Sequence, residues 1–221
     1  MSDRVLIVMD DSFELSTISA ALKLHGVNVI GEARKASTAI SLMRSMQPNV
    51  LLIDMHLTKE HSIEVANLIR KEIPDIGIVV LVSCPDFRIS GENNSQIPLG
   101  ARIVIKKSII DVSSLCEVIS ESKEFDADSQ AIWVNGNISL HERTFHSLMN
   151  QLTDIQIETW RLVANGLTNA EISRLRFVSE KSVEQVVSRI AQVLNVYPDK
   201  GKNLRVQLVN EYFRSIGAPT H

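Results

Sequence analysis

Apolar residues in the first half of the chain come in short unbroken runs. Val5–Val8, Val50–Ile53, Ile78–Val82 and Ile103–Ile105 are apolar at every position, and Val27–Ile30 is nearly so. A strand with one wet face alternates apolar and polar residues. A run without alternation suits a strand buried on both faces. Helix-length segments lie between the runs. Phe13–His25 carries Leu15, Ile18, Ala21 and Leu22 at helical spacing and stops at Gly26. Ser37–Met46 stops ahead of Pro48, Ser62–Ile73 carries Ile63, Ala66, Ile69 and Ile73 ahead of Pro74, and Val112–Glu121 follows the last run. Strands alternating with helices over short links predict right-handed crossovers and an α/β, doubly wound parallel sheet. One segment breaks the pattern. Arg88–Leu99 contains Ser90-Gly-Glu-Asn-Asn-Ser95 and Pro98, poor helix formers, so a short or distorted fourth helix is expected.

The second half reads differently. Residues 122–138 form a polar connector in which Ile132-Trp-Val followed by Asn135-Gly136 has the signature of a hairpin. His141–Gln151 suits a linker helix. After it the pattern is helical throughout. Thr153 caps a segment from Asp154 to Asn165 that ends at Gly166, and Thr168-Asn-Ala-Glu171 is a capping box opening a short helix to Arg176. Ser179 caps Glu180–Asn195, and Asn203–Ser215 is a fourth helix closed by Gly217. A small all-α domain with a helix-turn-helix follows from that spacing.

Length and charge sharpen this division. The chain has 221 residues, room for two modest domains. Its net charge of −3 hides a split. Residues 1–128 carry 13 Lys and Arg against 18 Asp and Glu, whereas the remainder carries 10 against 8. An acidic first half joined to a mildly basic second half points to a regulatory domain with a nucleic-acid module. The longest apolar run, Ile76–Val82, is far short of a membrane span, and neither a signal peptide nor a membrane partner is expected. Cys84 and Cys116 are the two cysteines, too few for a disulfide framework or a four-ligand zinc site. A cytoplasmic location is expected.

Candidate chemistry gathers at the strand ends. In a parallel sheet, sites form outside the carboxyl ends of the strands. Asp10 and Asp11 follow the first strand, Asp54 the third and Ser83 the fourth, and Lys106 and Lys107 end the fifth. Carboxylates gathered at one edge repel each other unless a cation sits among them, and oxygen-only ligands suit a hard divalent ion such as Mg2+. A lysine pairs with a carboxylate or phosphoryl oxygen, and a hydroxyl donates to the same oxygen. His56 and His61 share a loop, but no Cys or third His is near them in sequence, so they are read as solvated loop residues.

Residues 1–123 resemble the receiver domain of two-component response regulators. The resemblance implies a flavodoxin-like fold in which Asp10 and Asp11 are the acid pair and Asp54 accepts a phosphoryl group from a histidine kinase. Mg2+ would be held by Asp10, Asp11, Asp54 and the main-chain carbonyl of His56, and Ser83 would be the switch hydroxyl. Gly100-Ala-Arg-Ile-Val-Ile-Lys-Lys107 matches the family's Gly-Ala-x-Gly-Tyr-x-x-Lys, which selects Lys107 over Lys106. Three departures lie on the switching surface. Val104 stands where the family has an aromatic, the loop after the acceptor is Leu57-Thr-Lys-Glu-His-Ser62, and Cys84 follows the switch hydroxyl where a smaller residue is usual.

Residues 152–217 resemble the helix-turn-helix domain of LuxR/NarL/FixJ-class regulators. The matching stretches are Leu162–Ile172 and Val178–Val183. Val183, Val186, Val187, Ile190 and Leu194 form an apolar stripe, and Lys181, Glu184, Gln185, Ser188, Arg189 and Gln192 occupy the other face. The resemblance implies DNA contacts from Thr168, Asn169, Lys181, Ser182, Gln185, Ser188 and Arg189. Arg174 and Arg176 are further phosphate neutralisers. It also implies a homodimer paired through Leu204, Leu208, Val209 and Phe213. Glu184 and Val186 stand where relatives place Lys and His, which weakens phosphate contact.

The expected molecule is a non-enzymatic response regulator with a receiver over 1–123, a linker over 124–151 and a DNA-binding domain over 152–217. A histidine kinase and promoter DNA are its expected partners. The rival reading is a phosphoryl sink or protein-interaction regulator without specific DNA binding. A phosphatase with Asp54 as nucleophile would need a general acid near it, and the sequence offers none.

Overall fold

A computed structural model describes residues 3–55, 57, 62–84, 86–91, 96–109, 111–125, 129–134, 147–197 and 201–216. The chain divides into two compact units, Met1–Ser83 with Asn94–Ile138, and Cys84–Asn93 with Ser139–His221.

The first unit is built on strands β1 (Arg4–Val8), β2 (Asn28–Ala33), β3 (Val50–Asp54), β4 (Gly77–Val82), β5 (Arg102–Ile105) and β6 (Ile132–Trp133). Their order is β2-β1-β3-β4-β5-β6, and every neighbouring pair is parallel. Helices α1 (Ser12–Leu24), α2 (Ala36–Met46), α3 (Ser62–Glu72) and α5 (Val112–Glu121) follow β1, β2, β3 and β5. The unbroken runs are buried as their pattern requires: β3 and β4 are buried at every residue. Val5, Ile7, Val50, Leu52, Val79, Leu81 and Val104 share one cluster with Leu15 and Leu22 of α1 and Leu115, Val118 and Ile119 of α5. Helices α2 and α3 pack on the sheet and on each other.

The five predicted strands and four long helices form with ends within three residues of those expected. The connector corrects one expectation. Ile132–Trp133 adds a sixth strand parallel to β5, with Ile132 N–H donating to the Ala101 carbonyl and Val134 N–H to that of Ile103. The pairing satisfies backbone groups that β5 would otherwise expose at the sheet edge. Asn135-Gly136 and residues 141–146 of the expected linker helix lie outside the described residues; 147–149 are helical.

The second unit contains α4 (Phe87–Ser90), α6 (Asp154–Ala164), α7 (Asn169–Arg176), α8 (Glu180–Val193) and α9 (Leu204–Ser215). The predicted caps form. Thr153 with Gln156 and Thr168 with Glu171 make reciprocal capping boxes, Ser179 accepts from the Ser182 N–H, and Asn203 from those of Arg205 and Val206. Each satisfies backbone donors that the helix leaves open. Trp160 is the fully buried centre. Its indole N–H donates to the Leu208 carbonyl at 2.9 Å, and its ring meets Tyr212 edge-on at 5.4 Å. The short α4 agrees with the weak helix expected there.

Gly77 opens β4 against the end of α5. A Cβ at that position would lie 2.5 Å from Ser122 Oγ and 2.9 Å from the Ser122 backbone, and Ser122 is itself buried. Gly77→Ala should therefore destabilise the first unit by about 1–3 kcal/mol, the usual cost of overpacking. Urea unfolding checks this; an unchanged midpoint would refute the close approach.

Candidate functional site

The carboxyl end of the sheet concentrates polar groups because the strand bodies leave no room for them. Asp54 is the last residue of β3 and is 3 % exposed. Alternation along the strand gives it the face of Val50 and Leu52, the face covered by α1 and α5. A carboxylate this buried needs a cationic partner. Lys106 supplies it, with Nζ 2.7 Å from Asp54 Oδ2. The same ammonium lies 2.8 Å from the Glu14 carboxylate, one turn into α1. Burial works against the charge of Lys106 but is outweighed by attraction to Asp54, its hydrogen bond to Asp54 and the contributions of Glu14. The ammonium is therefore held above the ordinary lysine pKa.

This corrects the expectation for Lys107. Val104 lies in the cluster under α1 and α5, so the residue two further on returns to that face. The chain then tightens into a 3-10 turn over Lys106–Ser108, pinned by Ser108 Oγ donating to the Ile105 carbonyl at 2.7 Å. Lys107 is left exposed. Glu14 was not singled out from the sequence. The signal for it was its place in the first turn of α1, three residues after Asp11.

The other pocket residues have local duties. Asp11 is exposed and caps α1, its Oδ1 accepting the Glu14 N–H at 2.8 Å. The Asp10 carbonyl accepts Arg34 Nε at 2.8 Å. Ser83 is half-buried just past β4, and His56 lies outside the described residues. Among the described residues no group of three or more Asp, Glu, His or Cys side chains is placed to hold a metal ion as the side chains stand. Asp54 faces Lys106, and Asp11 faces its own helix. The donor set still suits magnesium in kind, since Asp10, Asp11 and Asp54 are all carboxylates following strand ends.

In the second unit α8 carries the predicted division of faces. Val183, Val187 and Ile190 are buried, while Lys181, Glu184, Gln185, Ser188, Arg189 and Gln192 are exposed. The exposed face presents two cations, one acid and three neutral hydrogen-bonding groups from a single capped helix. Ser182 is half-buried, with its hydroxyl 2.8 Å from that of Ser179 at the helix start. Thr168 and Asn169 are engaged at the start of α7. Thr168 closes its capping box, and Asn169 Oδ1 accepts Arg205 Nη1 at 2.9 Å.

Two expectations change here. Arg176 is turned inward, donating to the Ile155 carbonyl and the Thr159 hydroxyl and lying 3.5 Å from Glu158. Its guanidinium ties α7 to α6, whereas Arg174 is exposed. In α9, Leu208 is fully buried beneath Trp160 and has no surface with which to pair a second chain. Leu204 and Val209 are half-buried against the same core, and Phe213 is 39 % exposed. Val206, one heptad before Phe213, is 55 % exposed and completes the apolar surface that α9 retains.

Residues 5–120 match the family model of the response regulator receiver domain. Over 198 residues the chain is 25 % identical to the response regulator protein VraR of Staphylococcus saprophyticus, spanning 89 % of this chain and 92 % of the relative. VraR of Staphylococcus epidermidis gives the same identity and coverage. Among solved structures, two RcsB dimers bound to two parallel DNAs align with TM-score 0.57 at 20 % identity, covering 98 % of this chain and 100 % of that one. The RcsB–DNA complex aligns with TM-score 0.55 at 21 % identity, with the same coverage. At these identities the likeness to RcsB is one of fold. The receiver match extends over more than half the length of the chain, on a sheet of the expected strand order, and the chain belongs to the response regulator receiver domain family.

Proposed function

We propose that this response regulator controls transcription, with Asp54 as phosphoacceptor and the helix-turn-helix as DNA-binding output. The observation that carries the reading is the buried Asp54–Lys106 pair at the end of β3. It sets a nucleophilic carboxylate beside the cation that phosphoryl oxygens require. In the transfer, an Asp54 oxygen bonds to phosphorus as the phosphorus–nitrogen bond to the kinase histidine breaks. The electron pair leaves with the imidazole, which takes up a proton. Lys106 then pairs with a phosphoryl oxygen, and Ser83 donates to another. Asp10, Asp11, Asp54 and the His56 carbonyl would hold Mg2+, which supplies positive charge to the transferring group. Glu14 keeps Lys106 charged and positioned at Asp54.

The output reading rests on the exposed face of α8. Lys181 and Arg189 offer phosphate contacts, Gln185 and Ser188 reach base edges, and the capped N-terminus favours an adjacent anion. Thr168, Asn169 and Ser182 line the helix starts beside that face. VraR is named as a response regulator, and the RcsB structures contain DNA. In this reading the regulator pairs two copies on an inverted repeat, with α9 joining them through Val206, Val209 and Phe213. The functional domains remain a receiver over 1–123, a linker over 124–151 and an output domain over 152–217. A histidine kinase is the phosphoryl donor, promoter DNA the target and the cytoplasm the location. Among the described residues no helix is long and apolar enough to cross a membrane. Glu184, exposed on the same helix face, favours the second reading, a phosphoryl sink without specific DNA binding.

Incubation with magnesium and acetyl phosphate should add one phosphoryl group to the chain, and Asp54→Asn should abolish it. Full labelling of that variant would refute the acceptor assignment. Lys106→Met should destabilise the first unit by about 1–3 kcal/mol, the cost of leaving a buried charged group unpaired. Lys107→Met should stay within about 0.5 kcal/mol, as expected for a surface site. Thermal unfolding of the two variants separates them, and equal losses would restore Lys107. Binding to promoter fragments should weaken steeply with salt. Lys181→Ala and Arg189→Ala should each lower the salt slope by roughly 0.9 for the phosphate contact removed. A flat salt dependence in the parent chain selects the phosphoryl-sink reading.

A further inference from the structure

The chain enters the second unit between Ser83 and Cys84, long before the linker, and leaves it again at Asn93. The interposed segment is fastened there by its own chemistry. Asp86 caps α4 by accepting the Arg88 N–H at 3.0 Å and holds Arg88 Nη2 at 2.6 Å. The rest of the guanidinium reaches the turn before α6. Nη1 donates to the Leu152 carbonyl at 3.1 Å and to Asp154 Oδ1 at 3.0 Å, and Nη2 to the Met149 carbonyl at 3.0 Å. Ile89 is fully buried in the cluster of Trp160, Val163 and Tyr212, and Cys84 joins the same cluster. The Tyr212 hydroxyl donates to the Ile89 carbonyl at 2.7 Å. Gly91 closes α4 at φ +85°, directly against the Arg161 guanidinium.

These contacts bind α6 and α9 through backbone carbonyls and a buried side chain. They are of the kind that build a core, with all five guanidinium N–H groups drawn to one place. We propose that Cys84 and residues 86–91 act as a strap, an intramolecular ligand that completes the core of the helix-turn-helix unit and restrains α9.

The test uses the full chain and hydrogen–deuterium exchange. Tyr212→Phe removes the hydroxyl and keeps the ring, and Arg88→Ala removes the guanidinium. Each should speed exchange of α9 and of residues 86–91 about tenfold. Arg44→Ala, which breaks an exposed pair with Glu72 in the first unit, should leave α9 unchanged. Unaltered α9 exchange in both strap variants, or an equal rise in Arg44→Ala, would overturn the strap.

Discussion

A parallel sheet buried on both faces has no place for charge along its strands. That constraint arranges most of what the first unit does. Every residue of β3 and β4 is buried, so polar groups are displaced to the strand ends. Asp54 is the exception, a carboxylate inside the last position of a buried strand. Its charge forces the surroundings. Lys106 is drawn in from β5 and Glu14 from α1, and the three form a compact array with net negative charge. Such an array favours an incoming cation. The same burial that makes Asp54 costly in isolation fixes its place beside Lys106.

Most of the architecture was legible because it depends on local pattern. Unbroken apolar runs gave β1 to β5, and capping residues located the helices of the second unit to within a residue or two. Helical spacing of the apolar residues gives the face of α8 that meets solvent. The corrected positions share a cause. The spacing of the family motif points to Lys107, whereas strand parity carried past the end of β5 selects Lys106. Leu208 looked like part of an exposed stripe because its neighbours are apolar. Which stripe of α9 is buried was decided by Trp160, forty-eight residues away. Arg176 looked free because its partners, Ile155, Thr159 and Glu158, lie on another helix. Long-range partners of this kind leave no trace in local spacing.

The strap of Cys84 and residues 86–91 shows the same limit from the other side. Its composition is poor for a helix, and the sequence correctly marks it as weak. Weak intrinsic structure is what a strap requires, since a short helix of four residues is held by its neighbours more than by its own hydrogen bonds. Asp86, Arg88 and Ile89 each look ordinary along the chain. Only the carbonyls of Met149, Leu152 and Ile89 reveal why an arginine and an apolar residue stand one position apart there.

Position 104, where the family resemblance places an aromatic, is held by packing. Val104 is buried in the cluster with Leu115 and Val118 of α5, and its stiff, β-branched side chain has few alternative rotamers. The β5 edge is further occupied by β6, whose pairing consumes the backbone groups along it. Motion at that edge would break hydrogen bonds as well as apolar packing. The end of β4 is differently built. Past Ser83 the chain joins the second unit, where Cys84 and Ile89 are buried and the Tyr212 hydroxyl donates to the Ile89 carbonyl. What holds it there is side-chain packing and the Arg88 guanidinium on two backbone carbonyls, and not a neighbouring strand.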